Sequence, residues 1–251
     1  MTRDLTETVA RSACYKLLSL AFLPPSQSTE GLFSRIDRIL DVLPGDHQAI
    51  LNPIVRQVEI ARGGAIEREH SRLFGVGLAA TPYETEYDPL VSARKGHRLA
   101  DLLGFYEAFG LRLADHRKEF PDHIAVELEF MSLLLLKAAH AEAEAMGEAR
   151  AVSEEAAVKF LADHLGAWGG TFADRVEAVT QDDFYRFSAR LLRGFLLAEC
   201  QLLGVEPTHV SGVGPQLAAV PPQAPEPLAC PFAPECPEVS GRVGSVARPW
   251  R

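Results

Sequence analysis

Between residues 122 and 206 the chain contains no proline, whereas residues 207–251 hold ten of its 17. Proline lacks a backbone donor and its ring clashes with the preceding helical turn. The first stretch is therefore free to run in long helices, and the second excludes regular helix and central strand. The shift places a boundary near Gly204, giving a folded body over residues 1–206 and a Pro-rich, largely irregular tail over 207–251. In the tail Glu226, Glu235 and Glu238 balance Arg242, Arg248 and Arg251, so the net charge of -9 resides in the body. An acidic body disfavours binding to nucleic-acid phosphate or to an anionic membrane surface. No apolar run approaches the ~18 residues of a membrane span; Phe130 to Ala139 is interrupted by Lys137. The first residues carry Asp4 and Glu7 where an export signal would be basic and then apolar, so a cytoplasmic protein is expected. Four cysteines are too few for a disulfide scaffold.

Hydrophobic spacing predicts helices throughout the body. The expected elements are residues 4–22; a stripe of Leu32, Ile36, Leu40 and Leu43; residues 47–61, with Pro53 as a kink or break; and 65–74, ending at Gly75. A loop is expected from Gly75 to about Lys95. The next helix carries Leu99, Leu102, Tyr106 and Phe109 and closes at Gly110. The segment from Pro121 to Met146 is the longest and is apolar on nearly every side, as in a helix surrounded by others. Ser153-Glu154-Glu155 predicts an N-terminus for a helix reaching Leu165, with Trp168-Gly169-Gly170 breaking it. Residues 171–179 and 183–203 complete the body. No segment alternates with period two, so no sheet is assigned. The expectation is an all-α, single-domain helical bundle around a long central helix.

The chemistry concentrates in Glu119-Phe120-Pro121-Asp122-His123-Ile124-Ala125-Val126-Glu127. Pro121 suits a first helical turn. Asp122 stands where a carboxylate favours the helix dipole, and His123 and Glu127 are spaced to share a face. A Glu127 held inside an apolar helix needs a partner. Three readings stand: a capping and ion-pair arrangement, a metal site on His123 and Glu127, and a recognition site. A di-iron bundle would need two Glu-x-x-His pairs on helices, and only Glu67 to His70 falls in an expected helix. In the tail, Cys230 and Cys236 have five residues between them, outside the usual zinc spacing. A site there would need Cys14, Cys200, His209 or a second subunit. Cys14 and Cys200 otherwise read as small buried hydrophobes, Trp168 as a core or groove aromatic, and His140 as near an exposed helix end. No nucleophile elbow, HExxH or phosphate loop occurs.

Glu-x-Pro-Asp-His-Ile-x-x-Glu followed by a leucine-rich helix resembles the signature of the TorD/DmsD/NarJ chaperones. His70-Ser71-Arg72-Leu73-Phe74-Gly75, the loop with Pro82-Tyr83-Glu84 and Tyr87-Asp88, Leu99-Ala100-Asp101-Leu102-Leu103-Gly104-Phe105-Tyr106, and Phe160-Leu161-x-x-His164-Leu165-x-x-Trp168 resemble that family's blocks in order. The likeness covers residues 5–204. The form Tyr83-Glu84-Thr85-Glu86-Tyr87 is similar to chaperones that accompany molybdenum enzymes acting on ethylbenzene, dimethyl sulfide, selenate or chlorate. The resemblance implies a cytoplasmic, non-catalytic chaperone with no cofactor of its own. Its implied partner is the apo catalytic subunit of a molybdopterin oxidoreductase, or that subunit's twin-arginine signal peptide, held until cofactor insertion. It implies Asp122, His123, Glu119, Pro82, Tyr83 and Tyr87 at the binding site, Pro121 and Glu127 as structural motif residues, and a monomer or a dimer. Asp122 and His123 are expected to reach solvent at the helix mouth. The alternative is a helical metal- or cofactor-binding protein using His123 and Glu127 or Cys230 and Cys236.

Overall fold

The computed structural model describes residues 5–25, 31–55, 66–75, 79–87, 91–112 and 120–206. Those residues form an all-α bundle: α1 (Leu5–Ala21), α2 (Leu32–Leu40), α3 (Gly45–Val55), α4 (Ile66–Phe74), α5 (Val91–Ala108), α6 (Ile124–Ala143), α7 (Gly147–Phe160), α8 (Gly166–Val179) and α9 (Asp183–Leu203). A short 3-10 turn, Glu84–Tyr87, precedes α5. Among the described residues no helix is long and apolar enough to cross a membrane.

Helix α6 is the centre. It packs against α1 and α7, while α9 packs against α8 and α3. Leu128, Met131 and Leu134 of α6 are fully enclosed. Phe130 meets Tyr106 and Phe160 at centroid distances of 4.8 Å, and Phe105 completes this aromatic cluster. A second cluster joins Phe22, Phe74, Phe172 and Tyr185 from four segments. The α1, α3 and α9 contacts enclose a buried ion pair, Arg11 with Glu199. Arg11 donates to both Glu199 oxygens at 2.6 and 2.7 Å, Tyr15 donates at 3.1 Å, and His47 Nε2 lies 2.7 Å away. Arg11 above all holds the Glu199 carboxyl down at about 2, against the opposing effect of burial.

Several expected boundaries move. Helix α5 begins at Val91, before Lys95, and Pro53 lies inside α3 without ending it. Residues 56–61 of the expected third helix lie outside the described residues. Ser153 starts no helix: α7 begins at Gly147, and the Ser153 hydroxyl donates back to the Ala149 carbonyl at 2.9 Å. Pro121 lies in a turn before α6, whose N-cap is His123. Residues 168–170 do not break the chain's helical path. A π-turn, Leu161–Leu165, passes α7 directly into α8. The wide turn brings the Leu161 carbonyl against Gly166, where an added Cβ would lie 2.4 Å from that oxygen. At Gly169 an added Cβ would lie 2.6 Å from Leu196 of α9, so this glycine permits close helix packing.

Candidate functional site

The N-terminus of α6 is fastened to the loop 79–87. The Glu84 amide donates to the Asp122 carbonyl, and the Ile124 amide to the Pro82 carbonyl, both at 2.8 Å. These bonds flank an isolated antiparallel bridge between Tyr83 and His123. Tyr106 of α5 holds the turn from below, donating its hydroxyl to the Pro121 carbonyl at 2.8 Å. Asp122 does not cap its own helix. Its Oδ2 accepts from the Thr85 hydroxyl at 2.6 Å and from the Thr85 amide at 3.3 Å, so it caps the 84–87 turn. His123 takes the helix cap: its Nδ1 accepts from the Ala125 amide at 3.1 Å, which places the ring proton on Nε2. Burial, helped by His70, lowers His123 to about 4, so the ring is neutral at pH 7.

Beneath this junction lies a row of acids. Glu127 is completely enclosed, and its Oε2 accepts from Trp168 Nε1 at 3.0 Å. Among the described residues its Oε1 has no hydrogen-bond partner. Burial, reinforced by the Glu84 and Asp122 carboxylates, holds Glu127 well above the usual carboxylate range. Glu84, also buried, faces His164 Nδ1 at 3.1 Å and Arg98 at 3.6 Å. His164 Nε2 in turn lies 3.1 Å from Asp101 Oδ2. Above the junction the surface is aromatic. Phe120 is 60% exposed and stands edge-to-face with the half-buried Tyr83 ring at 5.8 Å. Tyr83 also contacts the His123 ring at 5.4 Å.

Residues 41–174, which contain the whole junction, match the nitrate reductase delta subunit family. The chain belongs to that family. It is 31% identical over 176 residues to the chaperone protein TorD of Aeromonas salmonicida, covering 68% of this chain and 75% of that protein. It is 35% identical over 117 residues to the chlorate reductase assembly chaperone protein of Ideonella dechloratans, covering 45% of this chain and 58% of that protein. The match to the selenate reductase assembly chaperone protein of Thauera selenatis is 41% over 82 residues, covering 32% of this chain and 40% of that protein. The chain thus spans about half the length of these two assembly chaperones.

In this delta-subunit family protein, Pro82, Tyr83, Asp122, His123 and Pro121 meet at one junction. Tyr87 lies just below, donating its hydroxyl to the Thr81 carbonyl at 2.9 Å and packing on Trp168. Glu119 lies outside the described residues, as do Cys230, Cys236 and His209. The expectation that Asp122 and His123 reach solvent is corrected: they are 2% and 5% exposed, because the loop folds over them. His123 and Glu127 are occupied with Ala125 and Trp168, and among the described residues no three His, Cys, Asp or Glu side chains are grouped to hold a metal. Sequence reasoning did not assign Phe120, Thr85, Asp101 or His164 to the site. Phe120, a bulky apolar residue between Glu119 and Pro121, was the available signal. Thr85, Asp101 and His164 are joined to it only by tertiary contacts.

Proposed function

We propose that this protein is a redox-enzyme maturation chaperone that acts by binding rather than by catalysis. Its partner is the apo catalytic subunit of a molybdopterin oxidoreductase, engaged through its twin-arginine signal peptide in the cytoplasm before export. The observation that carries this reading is the exposed Phe120 ring set edge-to-face on the half-buried Tyr83 ring above a hydrogen-bonded junction. An apolar peptide segment docks on such a ridge, while the acidic body attracts the arginines. The names of the relatives, assembly chaperones of chlorate and selenate reductases, support a client of the same class. The tail over 207–251 is read as separate from this binding body.

Calorimetry with a cognate leader and its Arg-Arg→Lys-Lys version tests the reading. Binding at micromolar Kd or tighter, about -8 kcal/mol, is expected for the native leader, with a tenfold loss for the lysine version. No heat with either leader well above micromolar concentration removes the signal-peptide reading.

A further inference from the structure

We propose that His164 is the positioning residue of the binding loop, clamping Glu84 of the loop to Asp101 of α5 so that Tyr83 is fixed against Phe120. The consequence for leader binding rests on the reading above; the clamp itself does not.

Three observations converge on it. The first is the two-sided contact: Nδ1 lies 3.2 and 3.1 Å from the two Glu84 oxygens, and Nε2 lies 3.1 Å from Asp101 Oδ2. An ionised carboxylate only accepts, so a ring N–H of His164 donates to the carboxylate it faces. The second is burial. His164 is fully enclosed and Glu84 is 3% exposed, whereas the Asp101 side chain is 59% exposed. Glu84 cannot be left unpartnered in that setting. Arg98 stands farther off at 3.6 Å and gives its shortest bond to the Asp163 carbonyl, at 2.8 Å. The third is the backbone. His164 lies in the π-turn, and both it and Trp168 reach the loop region, the first at Glu84 and the second at Glu127 and Tyr87. Phe105 and Phe160 pack against the imidazole at 5.6 and 5.2 Å, fixing its plane. Glu84 is the residue next to Tyr83, so the clamp sets the loop one residue from the half-buried Tyr83 ring.

The test is amide hydrogen exchange at Glu84, Thr85 and Glu86 in the free full-length protein, followed by leader affinity on the same variants. These amides are bonded to Asp122 and Tyr83 and so report the closed loop. His164→Leu should speed their exchange at least tenfold and weaken the leader about tenfold. His164→Asn keeps a donor near the Nδ1 position and should restore exchange to within about threefold of wild type. Asp101→Ala, at an exposed site that does not threaten folding, should speed the same amides about threefold. Equal exchange in His164→Leu and wild type overturns the proposal, as does His164→Asn behaving like His164→Leu. If His164→Leu fails to fold, Asp101→Ala with unchanged loop exchange overturns it. Faster loop exchange with unchanged leader affinity supports the clamp and counts against the leader reading alone.

Discussion

The Asp122 carboxylate accepts the Thr85 hydroxyl proton across 2.6 Å and 37 residues of sequence. A residue that stands immediately before α6 thereby caps a different element, the 84–87 turn. Charge-assisted bonds of this kind contribute about 1.5–3 kcal/mol. Asp122→Ala should therefore cost about 2–3 kcal/mol, more than the loss of a helix-start charge, and Thr85→Ala about half as much. Urea denaturation of both single variants and the double variant should give a coupling energy of at least about 1 kcal/mol. Strict additivity would mean that the two side chains act independently.

Glu127 holds its proton above the ordinary carboxylate range, since burial and two neighbouring acids raise its folded-state value. Between the ordinary carboxylate range and that raised value, the folded protein keeps a proton that the unfolded chain releases. Stability then falls as pH rises through this window. Glu127→Gln retains an acceptor for Trp168 and removes the titration. It should match or exceed wild-type stability at pH 7.5 and reduce the loss between pH 5 and 7.5. Glu127→Ala leaves the Trp168 donor unpaired beside a cavity and should cost about 2–4 kcal/mol. Melting curves at the two pH values decide; a Glu127→Gln variant as unstable as Glu127→Ala would show that the charge itself is needed.

Two buried groups act in the opposite direction on the acid side. His123, lowered from 6.5 to about 4, is neutral in the fold but takes a proton when unfolded. Its contribution is complete above pH 6.5 and is lost as pH falls through 4. Glu199, lowered from 4.5 to about 2, contributes fully above pH 4.5 and loses that contribution toward pH 2. Each shift corresponds to about 3 kcal/mol. These two groups thus remove stability in two stages, between pH 6.5 and 4 and between pH 4.5 and 2, the first opposed by Glu127. His123→Asn, which keeps a capping side chain, should remove the upper stage. Parallel pH profiles of wild type and His123→Asn between pH 7 and 4 would contradict the neutral, buried imidazole.

Helix α9 is closed before the tail begins. Gly204 adopts φ 65° and the Val205 amide donates to the Cys200 carbonyl at 2.9 Å, satisfying the last turn. Deleting residues 207–251 should leave a cooperative melt within a few degrees of the full chain. A collapse into aggregate would show that the tail belongs to the core.

The elements that local pattern encodes were legible in the sequence. The stripe Leu32, Ile36 and Leu40 is buried, and Gly110, at φ 73°, closes α5 as its position suggested. The junction residues Pro82, Tyr83, Asp122 and His123 were also legible, through motif resemblance. What stayed hidden depends on distant partners. Ser153 looked like a cap because it precedes two acids, yet an earlier turn at Gly147 had already started α7. Gly169 and Gly170 looked like a break, yet the π-turn before them keeps the path helical and Gly169 serves packing. The burial of Asp122 follows from Thr85, far away in the chain, so no spacing rule could reveal it. The Arg11–Glu199–His47 centre joins three helices and leaves no local trace.

We propose that Phe120 and Tyr83 form the surface that receives the client leader. Phe120 is 60% exposed, so Phe120→Ser should leave the melting temperature within about two degrees of wild type. Loss of an aromatic anchor at a binding surface costs at least about 2 kcal/mol. Calorimetric titration of the cognate leader into this variant should therefore show Kd weakened about 30-fold or more. An unchanged Kd in a normally folded Phe120→Ser protein would contradict the account and place the client elsewhere on the bundle.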